Sequence, residues 1–190
     1  IDRSVLRRQQ PTFHERFGTE RAVLMGDYLY AGAFSLLANL NDSYVTGYMA
    51  DICQQLSRGE FHEVDSRYNL ELSEAEYLEI VRDKTACLIA AACHLGAHLA
   101  GAPQPAIQRL TQVGWDLGVA FQIADDCLDL AGNEQTVGKT LRSDLDKGSL
   151  SLPLIYLSSL LNRRDRQKLF APVRRRMVDR RFLTAVARQA

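Results

Sequence analysis

Three aspartates stand close together in an otherwise apolar part of the chain. Asp125, Asp126 and Asp129 lie within the segment FQIADDCLDL, and Gln122 precedes the first of them by three residues. At about 100° per residue in a helix, Asp125 and Asp129 lie about 40° apart around the axis, with Asp126 within about 100° of both. Such close carboxylates repel one another unless a cation lies among them. Mg²⁺ suits this arrangement, because it binds one or two carboxylates and completes its shell with water and substrate phosphate oxygens.

A solvated acidic face is the alternative explanation for these aspartates. A D-D-x-x-D string on a helix is often only that, and the string alone favours a surface position. The flanking residues favour the metal instead, because acids embedded in an apolar helix need partners. These neighbours are Phe121, Ile123, Ala124, Cys127, Leu128 and Leu130.

The composition is that of an ordinary globular domain. The chain has 190 residues, of which 46% are hydrophobic and 24% charged, and its net charge is zero. This length suffices for one domain with a sizeable core, so we treat residues 1–190 as a single domain. From residue 162 onward, the chain has ten basic residues and two acidic ones. We interpret this tail as a solvated helical face and expect no nucleic-acid partner, since a nucleic-acid-binding protein would be basic overall.

The cysteines and the apolar runs bear on the cellular compartment. Cys53, Cys87, Cys93 and Cys127 form no C-x-x-C pair, which predicts reduced, packed thiols in the cytoplasm. No apolar run reaches the roughly 18 residues that a membrane span requires. The chain opens on Ile1-Asp2-Arg3, and we therefore expect no secretory signal.

The hydrophobic periodicity predicts an all-α protein, with no segment alternating long enough for a strand. A helix of about twenty residues from Thr19 is apolar on most sides and is expected to be mostly buried. The other predicted elements are a loop or short broken helix over 2–18, a helix over 41–60, a helix opened by a Ser73–Glu76 capping box and ending near Leu99, a helix from about Pro105 to Ala131, and a helix from about Leu152.

Several residues within these helices have a predicted local role. Lys84 lies where its helix changes from charged to apolar, and we expect its side chain to extend to solvent rather than to meet an anion. Gly114 and Gly118, one turn apart, offer a groove for close helix approach. His94 and His98 lack the H-E-x-x-H pattern of a metal site, so we predict packing or surface roles for them.

Six motifs follow one another along the chain. They are LRRQQPTFHERFG, AVLMGDYLYAGAF, GE, YLEIVRDKTACLIAAAC, GWDLGVAFQIADDCLDLAG and GKTLRSDLDKGSLSLPLIY. Together they resemble the trans-type polyprenyl diphosphate synthases. The resemblance runs from Ile1 to about Tyr156, and each motif is weak alone, whereas the ordered set is specific. It implies an isoprenoid-synthase helical bundle around a central substrate cavity, and a homodimer.

The resemblance also implies roles for individual residues. Asp125, Asp126 and Asp129 are similar to the second aspartate-rich motif, which binds Mg²⁺ bridged to the allylic diphosphate, and Asp2 to the last acid of the first such motif. The implied catalytic residues, which also contact the allylic substrate or its diphosphate, are Lys84, Thr85, Gln122 and Lys139. The implied diphosphate-binding residues are the pair Arg7 and Arg8, and Lys147.

The chain departs from the family pattern at several positions. The first two acids of the first motif and the helices before it do not precede Ile1, so we expect a partial domain that begins inside that motif. Gln9 and Arg142 stand where the family usually has glycine. Ser149 stands at a frequent lysine position, and Lys147, two residues earlier, is the expected substitute.

The predicted function is Mg²⁺-dependent condensation of isopentenyl diphosphate with an allylic diphosphate, which gives a longer trans-prenyl diphosphate and pyrophosphate. Two alternatives remain. A non-catalytic regulatory subunit would keep the fold without the complete first motif. A terpene cyclase would share fold and metal, but cyclases often lack the arginine pair and the GK loop, so Arg7, Arg8 and Lys139 argue against it.

Overall fold

The computed structural model describes residues 4–131 and 147–174. This part of the chain is a helical bundle with one very short hairpin, which confirms the all-α prediction. The elements are β1 (Leu6–Arg7), β2 (Gln10–Pro11), α1 (Phe13–Phe17), α2 (Thr19–Ala38), α3 (Ser43–Ser66), α4 (Glu74–Val81), a π turn (Arg82–Ala86), α5 (Cys87–Leu99), α6 (Gln104–Ala131), α7 (Leu152–Leu160), α8 (Arg163–Leu169) and α9 (Ala171–Arg174).

The hairpin carries the arginine pair. Leu6 pairs with Pro11 and Arg7 with Gln10 in antiparallel register, and the turn residues Arg8 and Gln9 have φ of 51° and 62°. Two left-handed residues are what a two-residue hairpin turn requires. The expectation of no strand is wrong here, because a two-residue strand is too short to show any alternation.

The helix predicted from Ser73 to Leu99 is continuous but contains a π turn. Its start is the predicted capping box: the Ser73 hydroxyl accepts from the Glu76 N–H at 3.2 Å, and the Glu76 carboxylate accepts from the Ser73 N–H at 2.8 Å. The π turn at Arg82–Ala86 inserts one extra residue into the helix. Such insertions are frequent at functional sites, and this one contains Lys84 and Thr85.

The predicted glycine groove lies between α5 and α6. A methyl group on Gly114 would come within 2.6 Å of the Ala90 Cα, and one on Gly118 would overlap the Ala86 Cα. These are backbone contacts that only a residue without Cβ allows. The prediction of close approach is confirmed, and it brings the acidic end of α6 alongside the π turn.

The main core lies at the C-terminal end of α6. Tyr77, Ile80 and Val81 of α4 pack there with Leu130 of α6 and with α7. The segment before α7 is tied to the end of α3, since the Tyr68 N–H donates to the Gly148 carbonyl at 2.7 Å. This packing positions residues 147–151 beside the aspartates.

The expectation that α2 is mostly buried is wrong for the described structure. No residue of α2 is buried, and Leu24, Tyr28, Leu29 and Leu36 are each more than 60% exposed. Apolarity on most sides of a helix predicts burial but does not say what covers it. The elements described here cover only part of α2.

The two histidines have packing roles, as predicted. The Tyr44 hydroxyl lies 2.6 Å from His94 Nε2, and Thr111 Oγ1 lies 3.0 Å from His94 Nδ1. Thr111 donates its own proton to the Ile107 carbonyl, so His94 Nδ1 must donate and Nε2 must accept. His98 Nε2 lies 3.4 Å from Asp42 Oδ2. The two histidines of α5 therefore connect this helix to α6 and to the first residues of α3.

Candidate functional site

A cavity of about 250 Å³ lies between α3, the π turn, the end of α6 and residues 147–151. It collects most of the predicted site residues, although they come from separate parts of the sequence. Those that line it are Arg7, Lys84, Gln122, Asp125, Asp126, Asp129 and Lys147. Acids and bases thus share one concave site, which is the arrangement needed to bind a metal-bridged polyanion.

Four other predicted residues are placed differently. Thr85 does not line the cavity but donates to the Gln122 amide oxygen at 2.8 Å. Arg8 is exposed at the hairpin turn and is not among the lining residues. Arg7 belongs to β1 and Arg8 follows it in the turn, so their side chains point to different sides of the hairpin. Asp2 and Lys139 lie outside the described residues.

A chain of hydrogen bonds fixes the buried aspartate. Asp126, only 5% exposed, accepts from the Tyr77 hydroxyl through Oδ2 at 2.7 Å and from the Gln122 amide through Oδ1 at 2.8 Å. Thr85 holds the other end of the Gln122 amide. Because each donor is itself fixed by packing or by another bond, the carboxylate and the amide keep one orientation. Tyr77 is a site residue that the sequence analysis missed.

The donor set fits a metal ion that shares its ligands with a substrate. Asp125, Asp126 and Asp129 supply only carboxylate oxygens, the ligands that Mg²⁺ prefers. Yet no group of three acidic, histidine or cysteine side chains in the described ranges is arranged to hold a metal alone. Mg²⁺ needs only one or two protein carboxylates when phosphate oxygens complete its shell. The site therefore fits Mg²⁺ together with a diphosphate better than a preformed metal cage.

Lys84 meets anions, so the expectation that it extends to solvent is wrong. Its Nζ lies 2.6 Å from Glu63 Oε2 and 3.8 Å from Glu60 Oε1, and its side chain is 31% exposed. The π turn changes the direction of this side chain and aims it at α3. A regular helical period could not have shown this, because the extra residue of a π turn has no signature in the hydrophobic pattern.

The π turn is clamped to α3 from its outer side. The Asp83 carboxylate accepts from Gln55 Nε2 at 2.7 Å and from Arg58 Nε at 2.9 Å. Burial alone would raise the pKa of Asp83, but the bonds from Arg58 and Gln55 outweigh it and hold that pKa below its ordinary value. Beside this clamp, a methyl group on Gly59 would come within 2.5 Å of the Lys84 backbone nitrogen. In the sequence, this contact is marked only by the motif piece GE, which is Gly59 and Glu60.

Replacing Glu63 with glutamine should strengthen the binding of inorganic pyrophosphate but lower the kcat of the full-length protein. Lys84 loses a carboxylate that competes with an incoming anion, so the Kd for inorganic pyrophosphate should fall by about fivefold, the equivalent of one partly exposed ion pair. The ammonium is also aimed less well, and kcat should fall about tenfold. Calorimetry and steady-state assays measure the two effects. Glu60→Gln, at the longer distance, should give smaller changes, and weaker pyrophosphate binding by Glu63→Gln would contradict this prediction.

The comparisons with known proteins identify the family. The sequence model described as Polyprenyl synthetase matches residues 1–188. The chain belongs to the polyprenyl synthetase family. This confirms the resemblance drawn from the ordered motifs.

Individual relatives and solved structures agree with this membership. The chain is 39% identical over 159 residues to heptaprenyl diphosphate synthase component 2 of Geobacillus stearothermophilus, covering 84% of this chain and 50% of that protein. Among solved structures, the polyprenyl synthase of Caulobacter crescentus CB15 complexed with calcium and isoprenyl diphosphate superposes with a TM-score of 0.94 at 34% identity, covering 99% of this chain and 57% of the other. A decaprenyl diphosphate synthase from Rhodobacter capsulatus superposes with a TM-score of 0.88 at 31% sequence identity, covering 99% of this chain and 58% of the other.

These matches establish the fold of this polyprenyl synthetase chain as the helical bundle of that family. They also show how much of each relative's length the chain covers. The chain spans about half the length of the curated relatives it matches, with 50% and 47% of the first two covered.

Proposed function

We propose that the protein containing this chain is a Mg²⁺-dependent, chain-elongating prenyltransferase that joins isopentenyl diphosphate to an allylic diphosphate. The observation that carries the proposal is the single cavity in which Asp125, Asp126 and Asp129 face Arg7, Lys84 and Lys147. Its charged groups suit a diphosphate bridged to metal ions. The relatives named as heptaprenyl and geranylgeranyl diphosphate synthases support the same chemistry.

The proposed reaction begins when the allylic C–O bond breaks, which leaves a carbocation and pyrophosphate. The isopentenyl double bond attacks the cation, a C–C bond forms, and one proton is lost. Mg²⁺ bound at the aspartates would neutralise charge that develops on the departing pyrophosphate. Lys84, Arg7 and Lys147 stabilise the same charge from the protein side, and their positions are set before reaction rather than during it.

The hydrogen-bonded residues of the cavity act in this mechanism through position. Thr85 and Gln122 hold Asp126 in one orientation, and the Lys84 ammonium, which pairs with Glu63 in the unliganded cavity, would turn to the leaving group when the diphosphate binds. The apolar side chains of the cavity wall, such as Leu72, Ile80 and Val81, exclude water that would otherwise quench the carbocation.

We further propose a homodimer that forms through α2. Leu24, Tyr28, Leu29 and Leu36 of α2 are exposed in the described structure, and a group of exposed apolar side chains on one helix often marks a contact with another segment or chain. A second copy of the same helix is the occupant that we expect. The four cysteines are free thiols, which supports a reducing, cytoplasmic location. No helix in the described ranges combines the length and apolarity needed to cross a membrane.

The alternative function is a non-catalytic subunit that keeps the fold and pairs with an active synthase. The similarity to a protein named as component 2 of a heptaprenyl diphosphate synthase supports assembly with another component. Native mass measured alone and with candidate partner subunits separates a homodimer from a mixed assembly.

Turnover by the full-length protein tests the proposed function. Purified protein supplied with Mg²⁺, isopentenyl diphosphate and allylic diphosphates of increasing length should form longer prenyl diphosphates and release pyrophosphate. Removal of Mg²⁺ with a chelator should stop product formation, and restoring Mg²⁺ should return it. Failure to extend any primer, alone or in the presence of a partner subunit, would contradict the proposal.

A further inference from the structure

The π turn deprives one backbone carbonyl of its ordinary helical donor. In a regular α-helix the Cys87 N–H would donate to the Asp83 carbonyl, four residues back. In this structure it donates to the Arg82 carbonyl, five residues back, and the Cys87 thiol donates to the Asp83 carbonyl at 2.9 Å instead. A thiol can donate only while it is protonated. Cys87 is buried, and this burial raises the pKa of its thiol to about 11, so the proton stays in place at neutral pH.

Asp83 is therefore held at two points. Its carbonyl accepts from the Cys87 thiol, and its carboxylate accepts from Gln55 and Arg58 of α3. The Asp83 side chain is only 19% exposed, so water competes little for these bonds. None of these four residues is among those that line the cavity of the described structure. The anchor of the π turn thus lies behind the site rather than inside it.

Lys84 directly follows the anchored residue. The backbones are in close contact here, because a methyl group on Gly59 would come within 2.5 Å of the Lys84 nitrogen and 2.7 Å of the Asp83 carbonyl carbon. From this contact the Lys84 side chain reaches the cavity. A π turn holds one residue more than a regular turn, so its loss would rotate a neighbouring side chain by about 100° around the helix axis. The direction of the Lys84 ammonium therefore depends on the anchor at Asp83.

We infer that Asp83 is a positioning residue for prenyl transfer, which holds the π turn against α3 so that the Lys84 ammonium can reach the diphosphate. The inference rests on the proposed function, because it needs a reaction in which Lys84 takes part. Asp83 itself contacts no reacting group in this mechanism, since it lies outside the cavity. An ordinary structural ion pair is the alternative, and such a pair would contribute to stability without any effect on turnover that depends on Lys84.

A double-mutant cycle in the full-length protein tests the inference, with kcat measured from labelled isopentenyl diphosphate. Asp83→Asn keeps the size of the side chain but removes its charge. It should lower kcat about tenfold, since a misplacement of about 1 Å can cost about a hundredfold. Beside Lys84→Met, which has no ammonium to position, Asp83→Asn should lower the residual kcat by less than about threefold. A larger further loss would show that Asp83 does not act through Lys84 and would overturn the inference.

Two further variants separate positioning from stability. Arg58→Gln removes the partner on the exposed side of α3, and it should fold and lower kcat about threefold, the effect of one partly exposed ion pair. It also serves as the test if Asp83→Asn does not fold. Asp42→Ala removes the carboxylate that caps α3 by accepting from the Tyr44 and Val45 N–H groups. Its Tm should fall, whereas its kcat well below the Tm should stay within about twofold.

Three results from these variants would overturn the inference. They are a wild-type kcat in Asp83→Asn, a wild-type kcat in Arg58→Gln, and a loss of kcat in Asp42→Ala as large as that in Asp83→Asn. The last result would show that general destabilisation of α3, and not the anchor of the π turn, lowers turnover.

The same assays keep this inference apart from the proposed function. Full-length wild-type protein that extends no allylic primer contradicts both. Wild-type protein that turns over, with Asp83→Asn equally active, contradicts the inference alone. Wild-type turnover, the expected loss in Asp83→Asn and little further loss beside Lys84→Met support both.

Discussion

Replacing Asp125 with alanine should lower the prenyl-transfer turnover of the full-length protein by about a hundredfold to a thousandfold, the usual effect of losing one preorganised stabilising group. Asp125 lines the cavity and is half-buried on α6. Its carboxylate is one of the three that would share Mg²⁺ with the diphosphate. Without it, the metal is bound more weakly and charge on the departing pyrophosphate is stabilised less.

The Mg²⁺ dependence of the rate shows whether the metal is involved. Steady-state rates measured over a range of Mg²⁺ concentrations should show a higher requirement in Asp125→Ala than in the wild type. Asp116→Ala is the matched control, because Asp116 is an exposed acid on the same helix that bonds to Gln112 outside the cavity. Turnover of Asp125→Ala within a few-fold of the wild type would contradict the metal assignment and, with it, the proposed mechanism.

Replacing Gly118 with alanine should reduce the free energy of unfolding by about 2–3 kcal/mol, the usual cost of forcing an extra group into a well-packed contact. The added methyl group would overlap the Ala86 Cα. Since the obstacle is backbone, α5 and α6 must move apart. Gly118 lies one turn before Gln122, and Ala86 ends the π turn, so the same movement should disturb the site and lower turnover.

Chemical denaturation measures this effect against a matched glycine. Gly96 is also a helical glycine, but a methyl group there would meet no atom within 4 Å. Gly96→Ala should therefore stabilise the protein by about 0.5–1 kcal/mol through helix propensity alone. Equal stability changes in the two variants would show that the close approach of α5 and α6 does not constrain position 118.

Much of the fold and of the site could be predicted from local sequence. The capping box at Ser73, the helix that begins near Pro105 and the glycine groove of α6 are each encoded by a few neighbouring residues, and the structure confirms them. The ordered motifs predicted the family, and the family comparison confirms it. Among the site residues, Asp125, Lys84 and Arg7 could be chosen because their types and motifs indicate diphosphate binding.

Tertiary structure decided the features that depend on contacts between distant segments. Lys84 turns to Glu63 because a π turn redirects it and Gly59 lets α3 approach, and neither effect has a local sequence period. The helix over Thr19–Ala38 is apolar enough to be buried, yet what covers it is not written in its own residues. Residue type and spacing therefore predicted which groups would bind a metal-bridged diphosphate, and that assignment stays a prediction. Only the packing of α3, α5 and α6 decided which of them face one cavity.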